Sequence, residues 1–328
     1  MKASAILRLN PHLYNIFAKI FFMSLLVVGS VAFDAIETPF GKTDKIIGGA
    51  GTYIAYASSY FVQPVNLVSV VGGDFPKETI AEMNRRGINT EGLQIKENEK
   101  SFFWSGKYHM DLNSRDTLVT ELNVLENFDP IIPESYQGSD YLMLGNLAPA
   151  VQHTVLKRMK QRPKFVALDT MNFWMDIAWN DLMEVLKEVD LLVLNDEEAR
   201  QLSKEHSLVK AYKKIAEMGP KYVIIKKGEH GALLFHQDQV FSAPALPLEE
   251  VFDPTGAGDT FAAGLMGYLA STNDTSFDNL KRAVYFGSAM ASYCVEKFGT
   301  ERLRELTQGD IQARIAQFLE LSTVKIPG

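Results

Sequence analysis

The sequence predicts an α/β protein built on a doubly wound, mostly parallel sheet with helices on both faces, plus a small antiparallel β lid. Three observations predict it. Short apolar runs alternate with helical patterns along most of the chain, two segments of polar/apolar alternation interrupt them, and no repeat or linker splits the core. Strands that alternate with helices need crossover connections, hence a mostly parallel sheet. The 328 residues, 46% apolar and 22% charged, suffice for one large domain of this kind.

The first residues, "MKASAILRLNPHLYNIFAKIFFMSLLVVGSVAF", imitate a signal peptide, with four basic residues counting His12, no acid before Asp34 and an apolar run from Ile20 to Phe33. That run is interrupted by Ser24, Gly29 and Ser30, falls short of the ~20 residues of a membrane span, and ends in an acid where a cleavage site needs small residues. Residues 24–31 therefore read as a buried first strand. Met23 reads as the start of the folded unit, residues 1–22 as an N-terminal extension or upstream-start artefact, and residues 23–322 as one domain.

Strand-like runs follow at "VNLVSVV", "DYLMLGN", "KFVALDT", "DLLVLN" and "KYVIIKKG". Between them lie the helical patterns "PKETIAEMNRRG", stopped by Gly87, "APAVQHTVLKRMKQ", "DLMEVLKEV", "DEEARQLSK" and "SLVKAYKKIAEMG", stopped by Gly219. The two interrupting segments, residues 33–47 and about 100–125, alternate around turn formers and read as the lid strands.

A formal charge of -7, with no block of Lys or Arg, argues against nucleic acid as a partner and for a small molecule. The lone Cys294 allows no internal disulfide and no Cys-based metal site, which suits a reducing, cytoplasmic setting without a membrane anchor.

Chemistry concentrates in residues 251–264, "VFDPTGAGDTFAAG". Pro254 stiffens a turn, and Gly256-Ala257-Gly258 lets the backbone approach a ligand without side chains in the way. The amides of residues 257–259 would then face an anion at the start of a helix, where unsatisfied N–H groups and the helix dipole favour negative charge. Asp259, beside that anion hole, is placed to take a proton from a nucleophilic hydroxyl while the amides hold charge on a transferring phosphoryl group. An Asp at a helix start is more often a simple cap, but a cap leaves Gly-Ala-Gly unexplained. The stretch is neither a Walker loop nor a dinucleotide-binding G-x-G-x-x-G.

"DPTGAGDTFAAG" closely resembles the C-terminal signature of the ribokinase/PfkB carbohydrate kinases, D-T-x-G-A-G-D-x-F-x-x-G. The resemblance runs over roughly residues 23–322. "VVGSVAFD" resembles the family's first strand, whose terminal acid, here Asp34, binds substrate hydroxyls. "GGAGTYIAYA" resembles its Gly-Gly signature, placing Gly48 and Gly49 at the acceptor, and "VVGGDFP" its V-G-x-D element with Asp74. "VLNDEEARQL" matches N-x-x-E, implying that Asn195 serves the nucleotide phosphates and Glu198 a hydrated Mg²⁺. "VIIKKGEHGALLF" implies nucleotide contacts at Lys227 and Gly228, although Lys226 and Lys227 taken alone read as solvated strand-end charges.

The implied enzyme is an ATP-dependent carbohydrate kinase of ribokinase-like fold, using ATP and Mg²⁺, with Asp259 as general base and Gly256-Ala257-Gly258 as anion hole. The resemblance also allows a monovalent cation near Asp253 and Thr255, and a homodimer through the lid. Departures fall on the acceptor side: Tyr53 stands where an asparagine often follows the Gly-Gly signature, and the usual D-P-N-x-R stretch reads "DTMNFWMD". The lid aromatics Phe102, Phe103, Trp104 and Tyr108 suit a furanose or a stacked base. The expected acceptor is a sugar or sugar-like polyol; the alternatives are a nucleoside, or a non-catalytic small-molecule-binding homologue.

Overall fold

The computed structural model describes residues 23–324, so the expectation for residues 1–22 lies outside the described residues. In chain order the strands are β1 (Leu25–Val28), β2 (Ala32–Thr38), β3 (Gly41–Lys42), β4 (Ile46–Gly48), β5 (Val65–Gly72), β6 (Ile88–Lys96) and β7 (Phe103–Tyr108). They continue with β8 (Arg115–Glu121), β9 (Tyr141–Leu144), β10 (Phe165–Asp169), β11 (Leu191–Asn195), β12 (Tyr222–Lys226), β13 (Ala232–His236) and β14 (Gln239–Ala243). Nine of them make one sheet in the order β14-β13-β12-β11-β10-β9-β1-β5-β6. It is parallel from β12 to β6, with β13 and β14 as an antiparallel hairpin at one edge.

Alternate residues of these strands enter two different cores, which is why the runs are apolar throughout. Leu25 and Val27 face one core and Leu26 and Val28 the other, all fully buried. Burying each such side chain stabilises the fold by roughly 1.5–3 kcal/mol. Helices Ala257–Thr272 and Phe277–Cys294 cover the first face through residues such as Phe261 and Leu280. Helices Pro149–Arg158, Trp179–Leu186 and Leu208–Ala216 cover the second through Val155, Leu182 and Ile215.

The lid is a separate sheet in the order β3-β2-β7-β8, with β4 also on β2. Its pairs are antiparallel except β2 with β7, which run parallel because β5 and β6 of the main sheet intervene in the chain. The first strand is shorter than the expected 24–31: β1 stops at Val28, residues 29–31 are not strand, and β2 of the lid sheet begins at Ala32. A Cβ on Gly29 would come within 2.7 Å of the Gly51 amide nitrogen, and at that close approach the chain leaves β1 and turns into the lid. Asp34 consequently lies inside β2 and does not end β1. Among the described residues no helix is long and apolar enough to cross a membrane.

Candidate active site

The helix Ala257–Thr272 begins at Gly256, whose φ of 76° is left-handed and suits glycine. A side chain at Gly256 would collide with the ring of Tyr53, which is 1% exposed and fills that space. The Ala257 amide donates to the Pro254 carbonyl at 3.2 Å, so it is turned inward, contrary to expectation. The amides of Gly258 and Asp259 have no backbone acceptor among the described residues and form the open part of the helix terminus. The Asp253 carboxylate shapes the turn, accepting the amides of Thr255 at 2.9 Å and Gly299 at 2.8 Å; burial, more than these bonds offset, raises its pKa.

Around this terminus stand residues that sequence reasoning missed. Lys226, at the end of β12, is not solvated: its Nζ lies 3.3 Å from Asp169 Oδ1 at the end of β10, and their side chains are 17% and 9% exposed. A Cβ on Gly258 would sit 2.9 Å from the same Nζ. Burial pulls the ammonium's pKa down, but the carboxylates of Asp169, Glu198 and Asp259 outweigh it and leave the pKa above its ordinary value. Asp259 is pushed up to about 7 by burial and the charge of Asp169, against the pull of Lys226; Asp34 adds to the rise and Arg115 opposes it. The signal that could have found the pair is strand parity. Asp169 shares its face with Phe165 and Ala167, and Lys226 with Ile224, all on the core beneath helix Ala257–Thr272.

On the lid side, Asp34 is 4% exposed, and its Oδ2 accepts the Gly49 amide at 3.3 Å. Gly48 has to be glycine, since a Cβ there would overlap that carboxylate. Burial pushes Asp34 up to about 7; the Gly49 amide opposes the shift and Asp253 adds to it. The register puts Asp34 opposite Trp104, and Tyr108 opposite Arg115, so these four share one face of the lid while Phe33 and Phe103 pair on the other. The Arg115 guanidinium lies 5.7 Å from the Trp104 ring centre and 6.0 Å from that of Tyr108. Thr255 Oγ1 donates to Tyr108 Oη at 3.1 Å and ties the lid to the signature turn.

Asn195 and Glu198 form a reciprocal cap: Asn195 Oδ1 accepts the Glu198 amide at 2.8 Å, and Glu198 Oε2 accepts the Asn195 amide at 2.7 Å. Glu198 is pushed up to about 7, mainly by burial, with Lys226 opposing. Among the described residues no group of three His, Cys, Asp or Glu side chains could hold a metal ion. With one oxygen engaged in the cap, Glu198 suits a hydrated Mg²⁺ carried by nucleotide phosphates rather than an all-protein site. Lys227 and Gly228 stand apart from the cluster. Among the described residues the Lys227 ammonium makes no hydrogen bond or ion pair, and a side chain at Gly228 would collide with Asn113 at the tip of the β7–β8 hairpin. Asp74 is also remote, accepting from Ser101 at 2.7 Å and pairing with Lys45 at 3.1 Å.

Comparison with known proteins gives the family. The family model described as pfkB family carbohydrate kinase matches residues 23–305. A cytidine kinase of Thermococcus kodakarensis is 32% identical over 283 residues, which are 84% of this chain and 98% of that protein. Among solved structures, the nucleoside kinase of Methanocaldococcus jannaschii superposes with a TM-score of 0.72 at 20% identity, covering 90% of this chain and 98% of that one. A ribokinase of Arabidopsis thaliana, complexed with ribose and ATP, gives 0.71 at 21% identity, covering 90% and 99%. The fold is ribokinase-like, and the chain belongs to the pfkB family of carbohydrate kinases, ATP-dependent phosphotransferases acting on hydroxyl groups.

Proposed function

We propose that this kinase transfers the γ-phosphate of ATP to a hydroxyl of a nucleoside, with Asp259 as general base. The observation that carries the acceptor class is the lid face on which Trp104, Tyr108 and Arg115 stand beside Asp34. A flat aromatic and a guanidinium suit a base, and a buried carboxylate next to the Gly48-Gly49 backbone suits ribose hydroxyls. The likeness to a cytidine kinase points the same way and moves the reading from the sugar or sugar-like polyol expected from sequence to the nucleoside that was its alternative.

In this reading the phosphates lie on the open amides of Gly258 and Asp259, with Gly256 making the turn. Asn195, Lys227 and Gly228 flank the nucleotide, and Glu198 faces the water shell of its Mg²⁺, which neutralises phosphate charge when bound. Asp34 aligns the acceptor through its hydroxyls. Asp259 takes the proton of the attacking hydroxyl as its oxygen bonds to the γ-phosphorus, and ADP leaves with the electrons of the broken P–O bond. The lid excludes water while this happens. A monovalent cation beside the buried Asp253, a cytoplasmic location, and a homodimer through the exposed edge strand β8 complete the proposal.

The test is a panel of nucleosides, free pentoses and hexoses incubated with ATP and Mg²⁺, scored for ADP release and product mass. Phosphorylation of nucleosides is expected. Phosphorylation of free sugars alone would return the acceptor to the sugar class, and no turnover with any member would favour a non-catalytic homologue.

A further inference from the structure

Lys226 is unlike the other lysines near the cleft. It is buried at a strand end, with Asp169 from β10, Glu198 from helix Asp196–Ser203, and Gly258 and Asp259 from helix Ala257–Thr272 all around it. An ammonium carries three N–H donors, and one hydrogen bond, to Asp169, is formed among the described residues. The other two donors have no hydrogen-bond partner among the described residues, and the Nζ lies beside Gly258, whose amide, like that of Asp259, has no backbone acceptor there. Open donors in a buried place are costly unless something completes them. Converging amides and one full positive charge are completed by an anion with several oxygens.

We propose that Lys226 is a catalytic residue of this kinase, its ammonium held by Asp169 and contacting the γ-phosphoryl group of ATP before and during transfer. The inference rests on the kinase reading of the site. Lys226 stays protonated throughout. The proton of the acceptor goes to Asp259, the new bond forms between the acceptor oxygen and the γ-phosphorus, and the bond from that phosphorus to the bridging oxygen breaks to release ADP. Lys226 lends charge to the non-bridging oxygens as they move, and Asp169 fixes where that charge stands. Asp169 is thus a positioning residue, acting through the lysine.

The test compares wild type, Lys226→Met, Lys226→Arg and the double variant Lys226→Met/Asp169→Asn for binding of ATP-Mg²⁺ and ADP-Mg²⁺ by calorimetry, with thermal melting alongside. Lys226→Met should weaken ATP by roughly 10- to 100-fold, the range of a charge-assisted hydrogen bond, and ADP by no more than about threefold. Lys226→Arg should keep most of the ATP affinity. The double variant removes the carboxylate that Lys226→Met leaves unpaired, so its melting temperature should return toward wild type while ATP binding stays weak. Equal weakening of ATP and ADP, or recovery of ATP affinity in the double variant, would show the pair to be structural and overturn the proposal alone. Wild-type protein that bound neither nucleotide would overturn the kinase reading and this inference together.

Discussion

At the end of the cleft proposed to hold the phosphates the groups come from the ends of central strands and the start of one helix, and nearly all have a fixed neighbour: Asp169 with Lys226, Asn195 with Glu198, Asp253 with two amides. At the lid end they come from a small sheet whose outer strand, β8, is exposed along its whole length, and Arg115 meets its partners through ring faces. The difference matches what each end is proposed to recognise. A triphosphate is the same for every acceptor and rewards rigid placement. An acceptor differs between enzymes, and a separate sheet with an exposed outer strand can change its facing side chains without disturbing the ends of the main sheet. Substitutions at the first end should therefore act on kcat, and those at the second on the acceptor KM.

Asp259→Asn should give the largest effect: loss of a general base costs about 10²- to 10⁴-fold in kcat, with ATP binding retained. Near-normal turnover in steady-state assays would return Asp259 to a capping role. Asp34→Ala comes next, raising acceptor KM about 10-fold or more through lost charge-assisted hydrogen bonds, with ATP affinity little changed. If acceptor and ATP were weakened together, the division between the two ends would fail. Trp104→Ala follows. Base stacking contributes about 1–3 kcal/mol, so KM for a nucleoside should rise by roughly 5- to 100-fold while free ribose, if accepted at all, is affected less.

The smallest effect is on stability. Asp34, Glu198 and Asp259 are each pushed from the usual carboxylate range to about 7. Carboxyls raised in this way stabilise the folded state fully below about pH 4, and that contribution is lost as pH rises through about 7. Nucleotide-free protein should melt lower at pH 8 than at pH 5 as far as these groups decide it. Asp259→Asn should melt roughly 2 to 4 °C above wild type at pH 8 and show no gain at pH 5. An equal gain at both pH values, read by calorimetry, would mean that Asp259 carries no buried charge.

The parallel strands could be read in the sequence because both of their faces are buried, which makes them continuous apolar runs. β6 could not, since "INTEGLQIK" mixes charged and apolar residues as an edge strand does. The Gly-Ala-Gly-Asp turn was legible because its glycines leave few local explanations, and the structure supplies the physical ones: Tyr53 lies against Gly256 and Lys226 against Gly258. Asp34 was recognised by its motif but placed on the wrong element, because the break at Gly29 depends on Gly51, far along the chain. Lys226 was passed over because adjacent lysines look alike in sequence. Only the alternation of β12 shows that the first of them shares a face with Ile224 and turns toward the helix.

The contact of Asn113 with Gly228 joins the tip of one hairpin to a loop at the opposite end of the cleft. The same hairpin carries Trp104 and Tyr108 on its first strand and Arg115 on its second. The lid sheet is thus fastened at two separate places, by Asn113 against Gly228 and by Tyr108 against Thr255, and its facing side chains are held from both.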